Sequence, residues 1–282
     1  MILITGASGN TGQEVLKQIV KSGHRVRAAF QSEQKAANAP AGVEAVIMDY
    51  NQPETMMAAL QGVDRVFLVA PVVPTLVELE RKATDAIRLS RSVRQVVKLS
   101  AMGPRETTFP GQHRESEDYI KSTGIGYTFL RPNGFMQNFA MYSGATIKTQ
   151  NAFYGCQSNG QVSHIDLRDI GAAAVKTLTE DGHLGKIYTL TGCEALTNSR
   201  IEELLSAAVG REIKYIDLSS DQMRQALLAA GSPEWSANSL VNLQELYRSG
   251  GASEVSDDVE RILGRKPIAF EQFARDYAGS FQ

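Results

Sequence analysis

One stretch constrains the fold of this chain more than any other. The apolar run Ile2, Leu3, Ile4 breaks into Gly6, Gly9 and Gly12, spaced Gly-x-x-Gly-x-x-Gly. Such a run reads as a buried strand, and the glycines behind it permit a reversal through backbone angles that a Cβ resists. Val15, Leu16, Ile19 and Val20 then recur on one helical face, so the segment reads as strand, turn and helix. Backbone N–H groups at a helix start of this kind can come close to a phosphate, and a dinucleotide is the natural occupant. Gly6, Ala7, Ser8, Gly9, Asn10, Thr11 and Gly12 are therefore the first candidate binding residues. The same spacing also occurs in connections that bind nothing. The strand before it and the helix after it single this one out.

Ser22 and Gly23 end the helix, and residues 24–30 read as a second strand that completes a β-α-β opening. The residues closing that strand bear on cofactor choice. An acid about 20 residues past the glycines would take the ribose hydroxyls of NAD, whereas a basic group welcomes the 2′-phosphate of NADP. Gln31 and Ser32 stand there with Lys35 in reach, so no carboxylate repels a phosphate; NADP is favoured and NAD remains possible. Further strands are expected at residues 43–48, 65–71, 95–100 and 127–130, with helices at 53–60, 76–92 and up to Gly124. Asp49 and Tyr50 close the third strand, and Asp49 reads either as a contact for the adenine amino group or as an ordinary turn acid. Val69, Ala70 and Pro71 end the fourth strand at the same edge, where a small Ala70 lets a cofactor pass closely. Ser100 ends the fifth, placed either to bond a substrate oxygen near the nicotinamide ribose or to serve as a plain strand-end serine. Residues 102–112, with Gly103, Pro104, Pro110 and Gly111, read as a loop.

This alternation implies an α/β protein with a Rossmann-like, doubly wound parallel sheet. Asp169 reads as the N-cap of a helix over residues 170–178. Past about residue 195 the alternation stops: helices at 197–209 and 219–230 flank a short strand at 212–218, forming a small discontinuous C-terminal lobe on the substrate side. The expected domains are residues 1–155 for the dinucleotide, with a returning segment over about 156–195, and residues 196–282 for the lobe. Twenty-nine basic and 31 acidic residues, with no basic tract, argue against nucleic acid as a partner. Cys156 and Cys193 lack metal-ligand spacing, so no metal site is expected. No apolar run approaches the ~18 residues of a membrane span, and the strand at the very start leaves no room for a signal peptide, so the expected location is the cytoplasm.

Several stretches resemble a known family. Residues 129–139, running Phe-Leu-Arg-Pro-Asn-Gly-Phe-Met-Gln-Asn-Phe, are similar to a segment of bacterial triphenylmethane reductases, NADPH quinone reductases and azoreductase-like proteins. Residues 162–170, 185–192 and 263–267, with Phe270 and Phe273, fit the same NmrA-like branch of the short-chain dehydrogenase/reductase superfamily. The resemblance implies a reductase that passes hydride from NADPH, or NADH, to a small, flat, apolar acceptor such as a quinone or an azo dye. It implies that Pro132, Asn133 and Phe135 lie beside the nicotinamide. For Phe135, Met136, Phe139 and Met141, core packing is the competing reading.

The superfamily's usual catalytic pair is Tyr-x-x-x-Lys. Here the family's spacing puts Phe109 at the tyrosine position and His113 at the lysine position. Phenylalanine carries no proton and a neutral imidazole lacks a fixed charge, so alcohol oxidation or sugar epimerisation by the usual route is disfavoured. Two possibilities remain. A conjugated acceptor takes hydride readily, with His113 as proton donor near its ordinary pKa of about 6.5 or as a holder of the ribose. Alternatively the chain is a non-catalytic NAD(P)-sensing regulator. His113 also reads as a simple helix-start residue, and Trp235 and Tyr247 read either as pocket or as anchoring residues.

Overall fold

The computed structural model describes residues 1–282. Strand β1 (Ile2–Ile4) leads through the glycine turn into α1 (Asn10–Ile19), followed by β2 (Val26–Phe30), α2 (Glu33–Ala36), β3 (Glu44–Ile47), α3 (Pro53–Ala59), β4 (Arg65–Leu68), α4 (Leu76–Ser90), β5 (Gln95–Leu99), α5 (Thr108–Ser122) and β6 (Gly126–Pro132). A π-helical turn, Phe139–Ser143, then opens α6 (Gly144–Gln150), with β7 (Ala152–Gly155), α7 (Leu167–Thr179) and β8 (Lys186–Leu190) behind it. The chain closes with α8 (Asn198–Val209), β9 (Lys214–Asp217), α9 (Ser220–Ala229), α10 (Glu234–Arg248), α11 (Asp258–Leu263) and α12 (Phe270–Asp276). No helix is long and apolar enough to cross a membrane.

The chain forms two compact units. The first comprises residues 1–101, 112–131 and 170–188. Its seven-stranded sheet runs β3-β2-β1-β4-β5-β6-β8, and β1 to β6 pair in parallel. This is the doubly wound α/β arrangement expected. Every residue of β1 and β2 is buried, as a strand covered on both faces requires. The order reverses between β1 and β4, and such a switch point opens a crevice at the carboxyl ends of the strands. Helix α1 presents Val15, Leu16 and Ile19 to the interior. Gly171 of α7 faces α1, where a Cβ would stand 2.8 Å from Gln18 Nε2 and 2.9 Å from Glu14 Cγ, both side-chain atoms.

The second unit comprises residues 102–111, 132–169 and 189–282. Its core gathers Phe139, Phe153, Phe270, Phe273 and Phe281, several in edge-to-face contact, around the buried side of α8. Strands β7 and β9 pair in parallel as a separate two-stranded sheet. Thr197 caps α8 through Arg200 N, as expected, and Ser219 and Gln222 form a reciprocal capping box on α9. Residues 102–111, 132–169 and 189–195, given from sequence to the first domain and its returning segment, fall in this unit. Their polar side chains bond within it: Gln137 Nε2 donates to Asp166 Oδ1 at 2.9 Å and Gln137 Oε1 accepts from Leu167 N at 2.8 Å.

Two further expectations need correction. Helix α5 starts at Thr108, inside the stretch read as a loop, because Pro110 lies in its first turn, where a missing N–H costs nothing. Helix α7 starts at Leu167, so Asp169 is not its N-cap. Asp166 Oδ1 accepts from Arg168 N at 2.8 Å, whereas Asp169 is turned to Ile268 N and Arg265.

Candidate functional site

The three glycines of the first turn differ in what demands them. Gly6 has φ +59°, the left-handed region where a side chain is strained. Gly12 is required by contact: a Cβ there would lie 2.2 Å from Gly6 O and 2.8 Å from Gly6 C, both backbone atoms. Gly9, at the N-cap of α1 with φ −82°, has neither constraint, since its Cβ would meet only Gly6 O at 3.3 Å. At Gly9 the packing demand is slight, a matter of a few tenths of an ångström at Gly6 O, and close approach of a phosphate to the turn would add a second reason for glycine. No side chain caps α1 and its first turn holds no acid, so the positive end of the helix is left for an anion. Ala7 and Thr11 are buried, while Gly9 and Asn10 are exposed. These residues fit a dinucleotide pyrophosphate.

Around this turn, Lys35 Nζ donates to Gln31 Oε1 at 3.3 Å, and both side chains are exposed. A cleft of about 530 Å³ runs from Ala7 and Ser8 past Lys17 and Phe30 to Lys35. Tyr50 is buried, and its hydroxyl donates to Val69 O at 2.7 Å. Burial raises its phenol pKa, so it stays protonated. Thr5 Oγ1 accepts from Val69 N at 2.8 Å, which ties the end of β4 to β1. Ala70 is half-buried and Pro71 exposed. Asp49 occupies its carboxylate locally: Asn51 N donates to Oδ1 at 2.8 Å and Gln52 Nε2 to Oδ2 at 3.1 Å, the ordinary turn-acid arrangement.

At the end of β5 lies a buried polar cluster. Lys98, fully buried, pairs with Glu80 at 2.7 Å, and Glu80 also accepts from Ser116 Oγ. Lys98 Nζ donates to His113 Nδ1 at 2.9 Å, so the ring proton of His113 sits on Nε2. Burial, with Lys98 and Arg114 beside it, holds the imidazole pKa well below its ordinary value. The expectation of His113 as an acid titrating near pH 6.5 therefore requires correction: the ring is neutral. Ser100 Oγ donates to Glu117 Oε1 at 2.6 Å, so its proton is committed inside the protein. Glu117 is also held by Arg114 at 2.8 Å and by both arms of Arg131. Burial would raise its pKa, but the bonds from Arg131 and Ser100 and the charges of Arg114 and Arg131 outweigh burial and lower it.

In the second unit, Asn133 is consumed by structure. Its Nδ2 donates to Ser163 Oγ and to Ala252 O, both at 2.8 Å, and its Oδ1 accepts from Gly134 N at 2.9 Å. Pro132 is buried and its carbonyl accepts from Met102 N at 2.9 Å. Phe135 is half-buried and bridges Ile165. None of the three lines the large cavity of this unit, about 760 Å³, which draws its wall from Phe139, Phe153, His164, Asn198, Leu243 and Tyr247 among others. Tyr247 thus faces a cavity, and Trp235 does not line it. His164 lies inside the family-like stretch 162–170, but neither it nor Asn198 was singled out as a site residue from sequence. Separate segments bring them to one wall.

A doubly wound parallel sheet with an uncapped, glycine-lined helix start at its switch point defines a dinucleotide-binding α/β protein. The chain belongs to the NmrA-like family, which it matches over residues 1–274. It is 34% identical to an NAD(P)H azoreductase of Xenophilus azovorans, over 100% of this chain and 99% of that protein. Its fold matches the NADPH complex of an NADPH-dependent quinone oxidoreductase from Escherichia coli with a TM-score of 0.89, at 25% identity and covering 98% and 99% of the two chains. It also matches the fold of a Citrobacter triphenylmethane reductase complexed with NADP(H), with a TM-score of 0.87 at 24% identity, over 99% and 100% of the chains.

Proposed function

We propose that this protein is an NADPH-dependent reductase of quinone-like, azo or other conjugated small-molecule acceptors. The observation that carries the reading is the pairing of a phosphate-ready glycine turn with a His113 held neutral by burial and Lys98, beside Phe109 at the superfamily's tyrosine position. This arrangement can bind a dinucleotide and offers no acid of the superfamily's type. An acceptor whose own π system stabilises the added electrons needs none. The named relatives, an azoreductase and a quinone oxidoreductase, support acceptors of this class.

NADPH, when bound, supplies the hydride. The chain's residues hold and orient: the turn from Gly6 to Gly12 takes the pyrophosphate, and Lys35 with Gln31 takes the 2′-phosphate. The backbone at Val69, Ala70 and Pro71, braced by Tyr50 and Thr5, supports the adenosine half. His113, with its proton on Nε2, stands as a neutral ring held by Lys98, and Ser100 braces Glu117 instead of meeting the substrate.

The test is NADPH and NADH oxidation, followed at the cofactor's absorbance, with a panel of quinones, azo dyes and triarylmethane dyes. Turnover of at least one class, faster with NADPH, is expected. Cofactor binding without turnover of any acceptor would overturn the enzymatic reading in favour of a cofactor sensor.

A further inference from the structure

Helix α10 turns one face to the cavity of the second unit. Ser236, Ala237, Leu240, Leu243, Gln244 and Tyr247 recur at helical spacing, and all of them line it. Tyr247 ends this row. It is 9% exposed, and its ring packs with Val162, Ala252 and Leu243. Its carbonyl accepts from Gly250 N at 3.0 Å, and a Cβ on Gly160 would stand 2.2 Å from that same oxygen, so backbone and ring are both fixed. The hydroxyl makes no hydrogen bond within the protein: burial alone acts on its pKa, raising it, and no neighbouring donor, acceptor or charge contributes.

That hydroxyl faces the cavity. His164 and Asn198 also carry unpartnered polar atoms, but those are sealed within the packing, whereas the Tyr247 hydroxyl is not. Without a partner and without a seal, it has the void of its own wall before it. Gly134, in the same wall, keeps the approach open, since a Cβ there would stand 3.1 Å from Tyr247 Oη. The wall is also uncharged. No Asp, Glu, Lys or Arg lines it, and burial lowers the His164 pKa to about 4. Burial and the bond it gives Asp217 keep the phenol of Tyr215 protonated. A pocket of this kind orients its ligand through a few polar groups, and a charge moved into it loses hydration that nothing in the wall replaces.

We propose that Tyr247 is a specificity-determining residue of a ligand site in this cavity: its fixed hydroxyl donates to a carbonyl or other acceptor oxygen of an uncharged ligand, and the neutral wall turns away charged molecules of the same shape. The hydroxyl binds and orients, and it keeps its proton. Taking that ligand for the acceptor rests on the reductase reading, and it then singles out uncharged quinones over sulfonated azo dyes and cationic triarylmethane dyes. The binding preference itself does not rest on that reading.

Three probes of one shape test it on the full chain by equilibrium dialysis, with no cofactor present: 2-acetylnaphthalene, an uncharged ketone; 2-isopropenylnaphthalene, which lacks the oxygen; and 2-naphthoate, which is charged. The carboxylate is expected to bind at least about 100-fold more weakly than the ketone. Tyr247→Phe keeps the ring and loses a hydroxyl that no protein group needs, so its urea midpoint is expected to match wild type. A ligand oxygen displaces water from that hydroxyl, so one net hydrogen bond is at stake: the variant's affinity for the ketone is expected to fall about 10-fold and its affinity for the hydrocarbon to stay unchanged. In wild type the carbonyl stretch of the bound ketone is expected below its frequency in dry hexane, and this shift decides the matter should the variant fail to fold. An unshifted stretch, ketone affinity that survives Tyr247→Phe, an equal loss for ketone and hydrocarbon, 2-naphthoate bound as tightly as the ketone, or failure of all three probes to bind would each overturn the proposal. Absence of NADPH oxidation with every acceptor would instead sink the reductase reading and leave the binding results standing.

Discussion

Gly9 and Gly12 are three residues apart in one turn, and the structure assigns them to different masters. In Gly12→Ala the new methyl would sit 2.2 Å from Gly6 O, more than 1 Å inside ordinary van der Waals contact, and 3.0 Å from Ala7 Cα, both backbone atoms that cannot rotate away. Helix α1 must therefore shift off β1. Alanine's better helix propensity returns about 1 kcal/mol, but overpacking against backbone costs about 1–3 kcal/mol or more, so net destabilisation on the order of 1–2 kcal/mol is expected. In Gly9→Ala the methyl meets a single oxygen at 3.3 Å, and φ −82° suits any residue. A small N-cap loss is offset by the stiffer unfolded chain, so stability should stay within about 1 kcal/mol of wild type. The methyl nonetheless stands where the pyrophosphate would approach. Weakening hydrogen bonds to a charged group, worth about 1.5–3 kcal/mol, should lower NADPH affinity about 10- to 100-fold. Urea unfolding measures the first quantity and NADPH fluorescence titration the second. Wild-type NADPH affinity in Gly9→Ala, or wild-type stability in Gly12→Ala, would refute the division of labour.

Other consequences follow from the same geometry. Lys98→Met leaves Glu80 charged and buried beside Ser116 alone, and urea denaturation should show a loss of about 3–5 kcal/mol; a loss under about 1 kcal/mol would mean the pair is dispensable. His164 is neutral and buried, with its folded pKa near 4 against about 6.5 unfolded. The unfolded chain therefore takes up its proton first, so this contribution is complete above about pH 6.5 and is lost as pH falls towards 4, on the order of 3 kcal/mol in all. His164→Phe should remove its share of the slope across that window and leave the share of the buried His113, which urea midpoints at stepped pH would register. Lys35→Glu places a carboxylate beside Gln31 and should weaken NADPH about 10-fold or more while sparing NADH, an effect that shrinks with added salt because both side chains are exposed. Unchanged selectivity would move the 2′-phosphate elsewhere.

Most of the order of strands and helices through β6 was legible because those elements announce themselves locally, although the one-turn helix α2 was not anticipated. Apolar runs, caps and glycine stops set β1, α1 and β4 without reference to anything distant, and the glycine spacing marked the phosphate turn. Helix α5 was misread because proline and glycine ordinarily signal a loop, yet a helix accepts proline in its first turn. The candidate site was legible only in part, since sequence shows which chemistry a residue carries but not which partners consume it. Ser100, His113 and Asn133 were sound choices by type. Contacts made with Glu117, Lys98 and Ala252, at sequence separations of 17, 15 and 119, turned them into a brace, a neutral ring and a structural clamp. His164 and Asn198 went the other way. The family-like stretch 162–170 contains His164 without marking it as a site residue, and only the packing that pairs one end of each side chain and buries the other unpartnered sets the two apart. Local pattern determines elements because propensity and burial act over a few residues. Proton positions, pKa values and unspent hydrogen bonds are properties of long-range neighbours, and these the tertiary structure alone decides.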